Sequence, residues 1–74
     1  MLGLNERIGE IAGRIRALRE IMGLTAEDMA AKSGISLEEY LECEEGRENL
    51  TFAFIYKCAQ IFGIDVTEIG RAHV

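Results

Sequence analysis

The sequence predicts an all-α fold of five short helices, and three observations lead to that prediction. Apolar residues recur at three- and four-residue steps, glycines stand where helices would end, and no segment alternates with period two over a useful length. The 74 residues, 49% of them hydrophobic, contain no proline. They are expected to form one small domain, residues 1–74, around a single core.

The first helix is predicted at about residues 5–22. One face of this helix carries its apolar side chains, which are Ile8, Ile11, Ile15, Leu18 and Met22. Charged residues lie on the rest of the surface, where Glu10 can pair with Arg14, and Arg16 with Glu20, one turn apart. Gly23 follows the helix, as expected for a left-handed helix end.

The other four helices, predicted at about 26–32, 37–45, 52–62 and 66–71, begin in the same way. Each follows a side-chain oxygen that can accept from the free N–H groups of the first turn, in Thr25, Ser36, Thr51 and Asp65. Each start is flanked by apolar residues that form a hydrophobic staple: Leu24/Met29, Ile35/Tyr40, Leu50/Ile55 and Ile64/Ile69. Three carboxylates fit the capping box with these caps: Asp28, Glu39 and Glu68.

The connection between helices two and three consists only of Ser33, Gly34 and Ile35. A three-residue turn with a central glycine makes two short helices cross steeply rather than lie antiparallel. The segment from about residue 24 to residue 45 is therefore predicted to form a helix-turn-helix unit. Gly46 and Gly63 are expected to be the turn residues after helices three and four.

Helix four carries more apolar surface than one core face needs. Its predicted inward arc consists of Phe52, Ile55, Cys58, Ala59 and Phe62. Phe54 and Ile61, seven residues apart, are expected on the opposite side near Lys57. This second stripe predicts an interface with a second copy or a further domain, unless the N-terminal residues or the last helix cover it.

Acidic charge is concentrated in the middle of the chain. The formal net charge is −5, and residues 25–50 alone carry −6. The predicted third helix and its flanks, GISLEEYLECEEG, contain five glutamates and no basic residue. A ligand that is itself a polyanion would meet repulsion there.

Several functional classes are disfavoured by the residues present. Cys43 and Cys58 have neither a second cysteine pair nor a histidine at metal-ligand spacing, so both are interpreted as buried apolar residues of a reducing cytoplasm. No nucleophile and base pair can be assembled, so we predict no enzyme, no metal and no cofactor. Charges at Glu6, Arg7 and Glu10 interrupt any N-terminal apolar stretch, which argues against a signal peptide and a membrane span.

From about Ile8 to Ile69 the chain resembles the Cro/lambda-repressor-like helix-turn-helix domain of the XRE family of regulators. The resemblance rests on RIRALRE at 14–20, GLTAEDMAAKSGIS at 23–36, the Glu44 to Gly46 close of helix three, and IFGIDVTEI at 61–69. The EEY of helix three and FIYKCAQIFGID of helix four are most similar to regulators with a C-terminal cupin-type sensor domain.

The resemblance implies a compact five-helix, DNA-binding domain of a bacterial-type transcriptional regulator, with its third helix in the major groove. By position, the base-facing residues would be Leu37, Glu38 and Glu42, and Ala26 would anchor helix two. The remaining contacts to DNA would come from Thr25, Lys32, Ser36, Arg47, Asn49 and Thr51. The resemblance also implies a structural ion pair between Arg19 and Glu44.

Two hypotheses remain open because the family's usual donors are missing at positions 26, 37, 38 and 42. The first is a cytoplasmic DNA-binding module that binds double-stranded DNA weakly when isolated and acts as a homodimer or with a C-terminal sensor domain. Glutamates in the groove would then either accept from cytosine or merely tolerate the duplex. The second is an acidic protein-interaction or dimerisation module without sequence-specific DNA binding.

Overall fold

The computed structural model describes residues 4–46 and 50–70, and these form five helices. The helices are α1 (Leu4–Ile21), α2 (Ala26–Ser33), α3 (Leu37–Glu44), α4 (Phe52–Phe62) and α5 (Val66–Gly70). Each predicted helix is present with its ends within one residue of the prediction, and the described residues contain no strand. The all-α fold class is confirmed.

The predicted caps set where three of these helices begin. The hydroxyl oxygens of Ser36 and Thr51 each accept from the backbone N–H three residues later, at 3.1 Å in both cases. At α2 the capping box is complete, because the Asp28 N–H donates to the Thr25 hydroxyl while the Thr25 N–H donates to the Asp28 carboxylate, both at 3.0 Å. At α3 the structure has the Ser36 half of the predicted box.

The predicted box between Asp65 and Glu68 is wrong. The Asp65 carboxylate instead accepts from both the backbone N–H and the hydroxyl of Thr67, each at 3.0 Å. Thr67 presents two donors close to this oxygen, so it takes the place of the capping-box partner. These two bonds also lower the pKa of Asp65, the backbone bond contributing more.

Gly34 makes the turn between α2 and α3. Its φ of 77° lies in the left-handed region, where a side chain would be strained. Its N–H and that of Ile35 both donate to the carbonyl of Ala30, which closes the end of α2. The next residue, Ser36, already caps α3, so only Gly34 and Ile35 separate the end of α2 from the cap of α3.

One hydrophobic core joins the helices. Its buried members are Ile15, Met29, Ala30, Tyr40, Cys58, Ala59, Phe62 and Ile69. Three staple residues that precede helices, Leu24, Ile35 and Ile64, pack against this core. Helix α2 contacts α3 and α4, whereas α1 contacts α3, α4 and α5. The staples therefore fix the direction in which each helix enters the core.

Helix α1 differs from its prediction in two places. Met22 lies beyond the helix end and is half exposed, while Ala12 is buried. The predicted pair between Glu10 and Arg14 is not among the ion pairs of the described residues: the Arg14 Nε instead donates to the backbone carbonyl of Glu68 at 2.7 Å. Arg14 thereby ties α5 to α1, a contact that spacing along one helix cannot reveal. The exposed pair between Arg16 and Glu20 is formed, at 3.5 Å.

The orientation of α4 also corrects the prediction. Phe52, expected inside, is 69% exposed and stacks on the half-exposed ring of Tyr56. Phe54 and Ile61, for which the sequence left open either an interface or coverage by the rest of the chain, are partly buried against the core. Because α4 packs against α2 as well as α5 and α1, its covered arc is wider than a single face.

Candidate nucleic-acid interface

The helix-turn-helix unit presents the first two turns of α3 to solvent. Leu37 and Glu38 are exposed, and Glu42, one turn after Glu38, is half-buried. Tyr40 and Cys43 point the other way and are buried. The three residues that the family resemblance assigns to base contacts thus lie on the outward side of α3, and the other side fixes that helix to the core.

A buried polar network holds the far end of α3. The Arg19 guanidinium donates to both carboxylate oxygens of Glu44, through Nε at 2.8 Å and Nη2 at 3.1 Å. Only 14% of the Arg19 side chain and 4% of the Glu44 side chain are exposed. The Tyr40 hydroxyl donates to the same carboxylate, and Arg19 Nη1 donates to the carbonyl of Leu24 at 3.0 Å. The arginine therefore joins α1, the entry to α2 and α3.

This network raises the pKa values of Arg19 and Tyr40. The hydrogen bond that Arg19 donates to Glu44 raises the pKa of Arg19 further above its ordinary value, against the opposing effect of burial. Burial, followed by the bond to Glu44, raises the pKa of Tyr40. Arg19 therefore remains charged and Tyr40 neutral across the physiological range.

The start of α2 is a poorer phosphate site than the sequence suggested. The Thr25 N–H, which could otherwise donate to a phosphate, donates to the Asp28 carboxylate of the predicted capping box. The first turn also contains Glu27 and Asp28, and hydrogen bonds from Thr25 lower the pKa of Asp28. Ala26 itself is half-buried and packs against the core.

The start of α4 has a different character. Thr51 caps the helix, and no acidic residue stands in the first turn. Lys57 is exposed farther along α4, and Lys32 is exposed in the last turn of α2. Arg47 and Asn49, the predicted contacts in the loop after α3, lie outside the described residues. Among the described helix starts with a Ser or Thr cap, α4 is thus the one without carboxylates in its first turn.

A groove of about 670 Å³ separates α3 from α4. Glu38, Glu39 and Glu42 line it from α3, together with Cys43. The other lining residues come from the turn before α3 and from α4: Ser33, Ile35, Ser36, Thr51, Ala53, Phe54 and Lys57. Sequence reasoning missed the groove, although the i,i+4 spacing of Glu38 and Glu42 already placed two of its carboxylates on one side of α3.

Comparison with known proteins decides the family. A family model described as a helix-turn-helix domain matches residues 12–70. The chain belongs to this helix-turn-helix family. An HTH-type transcriptional regulator of Sinorhizobium fredii is 34% identical over 59 residues, which cover 80% of this chain and 77% of that protein. Another, of Methanocaldococcus jannaschii, is 29% identical over 56 residues, covering 76% of this chain and 85% of that protein.

Solved structures share the helix-turn-helix fold. The restriction-modification controller protein C.AhdI from Aeromonas hydrophila is 29% identical and superposes with a TM-score of 0.78, covering 84% of this chain and 94% of that one. The clp gene regulator ClgR from Corynebacterium glutamicum has a TM-score of 0.83 at 20% identity, with 89% and 86% covered. These matches confirm the five-helix, lambda-repressor-like architecture. The chain is a helix-turn-helix domain of the transcriptional-regulator type, which is not an enzyme family.

The remaining polar chemistry of the domain is sparse. Cys43 and Cys58 are both buried, and burial raises the pKa of Cys58 to about 12. Within residues 4–46 and 50–70 no group of three metal-binding side chains converges. None of the helices in the described part of the chain combines the length and apolar character needed to cross a bilayer.

Proposed function

We propose that this domain binds double-stranded DNA for a transcriptional regulator, with α3 in the major groove. The observation that carries the proposal is the outward face of α3 at Leu37, Glu38 and Glu42, on a helix that the pair between Arg19 and Glu44 ties to α1. A reading helix must be held rigidly to be specific, since a small displacement breaks hydrogen bonds to base edges. The family match and the regulators among its relatives support the same proposal.

The proposed contacts divide into those to phosphates and those to bases. Thr51 and the first turn of α4 are the best phosphate anchor because they contain no carboxylate. Lys32, Ser36, Arg47 and Asn49 would add donors, while Thr25 and Ala26 would contribute little more than shape. Leu37 can contact a thymine methyl group, and a glutamate can accept from the amino group of cytosine.

These proposed contacts predict that the isolated domain binds DNA weakly. Phosphate contacts supply most of the affinity of such proteins, and few cations face the duplex here. We propose that a second copy, or a C-terminal sensor domain of the cupin type in a longer chain, supplies further contacts. Glu38 and Glu42 would then tolerate DNA rather than read it.

Neutralising the two glutamates tests this proposal. In the double variant Glu38→Gln/Glu42→Gln each change removes a like charge and adds an amide donor, so binding to many duplex sequences should strengthen, by roughly threefold or more at low salt. The control Glu20→Gln/Glu68→Gln removes the same charge from exposed positions away from this face. Fluorescence anisotropy with labelled duplexes across a salt series measures both variants beside the wild-type domain.

Each other result has a defined meaning. If one preferred site weakens while random duplex does not, a glutamate reads cytosine, and the claim of tolerance is wrong although DNA binding stands. Equal gains in both variants would mean that only net charge matters and that α3 does not face the duplex. No binding at low salt before or after the change would refute the proposed function.

A further inference from the structure

The groove between α3 and α4 combines an apolar floor with an acidic rim. Ile35 and Phe54 are partly buried on its floor beside buried Cys43. Below them the rings of Phe54 and Tyr40 meet at 5.9 Å between centroids, so the two helices are joined at the base and open toward solvent. The groove's volume of about 670 Å³ falls within the range of ligand-binding clefts.

Three carboxylates and one ammonium group border this floor. Glu38, Glu39 and Glu42 come from α3, and Lys57 comes from α4. Helix α3 has no basic residue of its own, and no rim carboxylate forms an ion pair with any residue that the structure describes. The groove therefore has a surplus of negative charge over an apolar surface.

The charge complementarity of this groove points to an extended cationic ligand. No three carboxylates of the described residues converge closely enough to hold a metal ion, so the rim does not suit a point charge. Arginine and lysine have apolar stems and charged ends, and their stems can lie on apolar surface while the ends reach carboxylates. A DNA duplex can at best tolerate these carboxylates, whereas a cationic segment is attracted by them.

We infer that this groove binds a basic segment of a partner protein, in which cationic residues alternate with apolar ones. The apolar side chains of the segment lie on Ile35 and Phe54, and its cations face Glu38, Glu39 and Glu42. The inference does not rest on DNA binding, but the two share Glu38 and Glu42. A bound segment therefore covers part of the proposed DNA-reading face, and segment and duplex compete.

Amide NMR of the wild-type domain provides the first test. The probe is a short peptide that alternates arginine with leucine, and its controls alternate arginine with glycine and glutamate with leucine. We expect the arginine–leucine peptide alone to shift amides of residues 33–43 and 51–57, with an affinity that falls as salt rises. Shifts centred elsewhere, or equal binding of the arginine–glycine peptide, would overturn the inference.

Variants then separate the rim from the floor. Glu38→Gln/Glu42→Gln should weaken the arginine–leucine peptide by about fivefold or more, since two exposed ion pairs are lost. The control Glu27→Gln/Glu68→Gln should not weaken peptide binding. Glu27 is a matched position, because it is the second residue of α2 as Glu38 is the second residue of α3. If both variants weakened peptide binding equally, the net charge of the domain would explain the effect, and the groove would not be the binding site.

A third variant tests the groove by filling it without changing its charge. Ala53 is exposed on the α4 side of the groove, so Ala53→Trp places a ring over the floor without disturbing the core. Peptide binding should be lost while the thermal melting curve stays close to that of wild type. Undiminished binding by a folded Ala53→Trp domain would refute the groove as the site, whatever its affinity for DNA.

Discussion

The starts of α3 and α4 are built alike and charged differently. Ser36 and Thr51 cap them with hydrogen bonds of the same length, 3.1 Å, and an apolar residue precedes each cap. Yet the first turn of α3 contains Glu38 and Glu39, whereas the first turn of α4 contains no acid. A helix start requires only the capping side-chain oxygen and the hydrophobic staple. Folding therefore does not determine whether the first turn is acidic, and function can.

The two helices also differ in how they are held. Helix α3 depends on a polar network that includes Tyr40 and Glu44, while α4 is held by apolar contacts of Cys58, Ala59 and Phe62. A polar network has strict geometry and is costly to leave incomplete. The proposed reading helix is therefore the one whose position is specified by directional bonds.

The largest expected effect comes from breaking that network. Arg19→Ala leaves the Glu44 carboxylate buried with the Tyr40 hydroxyl as its remaining partner in the network, and should destabilise the domain by about 3 kcal/mol. That is a large share of the stability of a domain this small, roughly 5 kcal/mol. Urea unfolding measures the change.

A double-mutant cycle locates the cause. Arg19→Ala/Glu44→Gln should recover part of the loss, because a neutral amide is less costly to bury than an unpaired carboxylate. The exposed pair gives the matched control: Arg16→Ala should cost less than about 1 kcal/mol. Additive, small effects at positions 19 and 44 would mean that the pair does not hold α3.

Residues that act through near neighbours in the sequence were predictable. Caps and staples lie within five residues of one another, which is why the starts of α2 to α5 followed from Thr25, Ser36 and their counterparts. The pair of Arg19 with Glu44 spans 25 residues and came only from family resemblance. Nothing in its local spacing singles out that arginine among the four of the N-terminal third.

Features set by packing between helices were not predictable in the same way. Helical periodicity alone gives α4 a single inward face, so the sequence placed Phe52 inside and Phe54 outside. In the structure α4 contacts α1, α2 and α5, and Phe54 is partly buried against the core. The groove depends on how α3 and α4 diverge above the contact between Phe54 and Tyr40. Asp65 shows a local failure, in which two donors of Thr67 displaced the expected partner.

Removing the caps tests whether the two helix starts are energetically alike. Ser36→Ala and Thr51→Ala should each cost about 1 kcal/mol, because each leaves one N–H of the first turn without its acceptor. The two variants should differ in DNA binding. At equal stability Thr51→Ala should weaken DNA binding more than Ser36→Ala does, since Thr51 caps α4, whose first turn contains no acidic residue. Thermal melts and anisotropy together check this. A larger loss of DNA binding from Ser36→Ala would reverse the proposed roles.

The smallest expected effect on stability comes from making α4 resemble α3. Ala53 is the second residue of α4, as Glu38 is of α3. Ala53→Glu places a carboxylate near the positive end of the helix dipole and should stabilise the domain by no more than about 0.5 kcal/mol. Ala53→Gln, equal in length but neutral, is its control.

Function should respond to Ala53→Glu in two opposite directions. DNA binding should weaken, because the carboxylate stands where a phosphate would approach the free N–H groups of α4. Binding of the arginine–leucine peptide should strengthen, because the groove gains a further carboxylate. Ala53→Gln should do neither. If Ala53→Glu left both affinities unchanged at low salt, the first turn of α4 would have no part in either surface, and the contrast between the two helix starts would have no functional meaning.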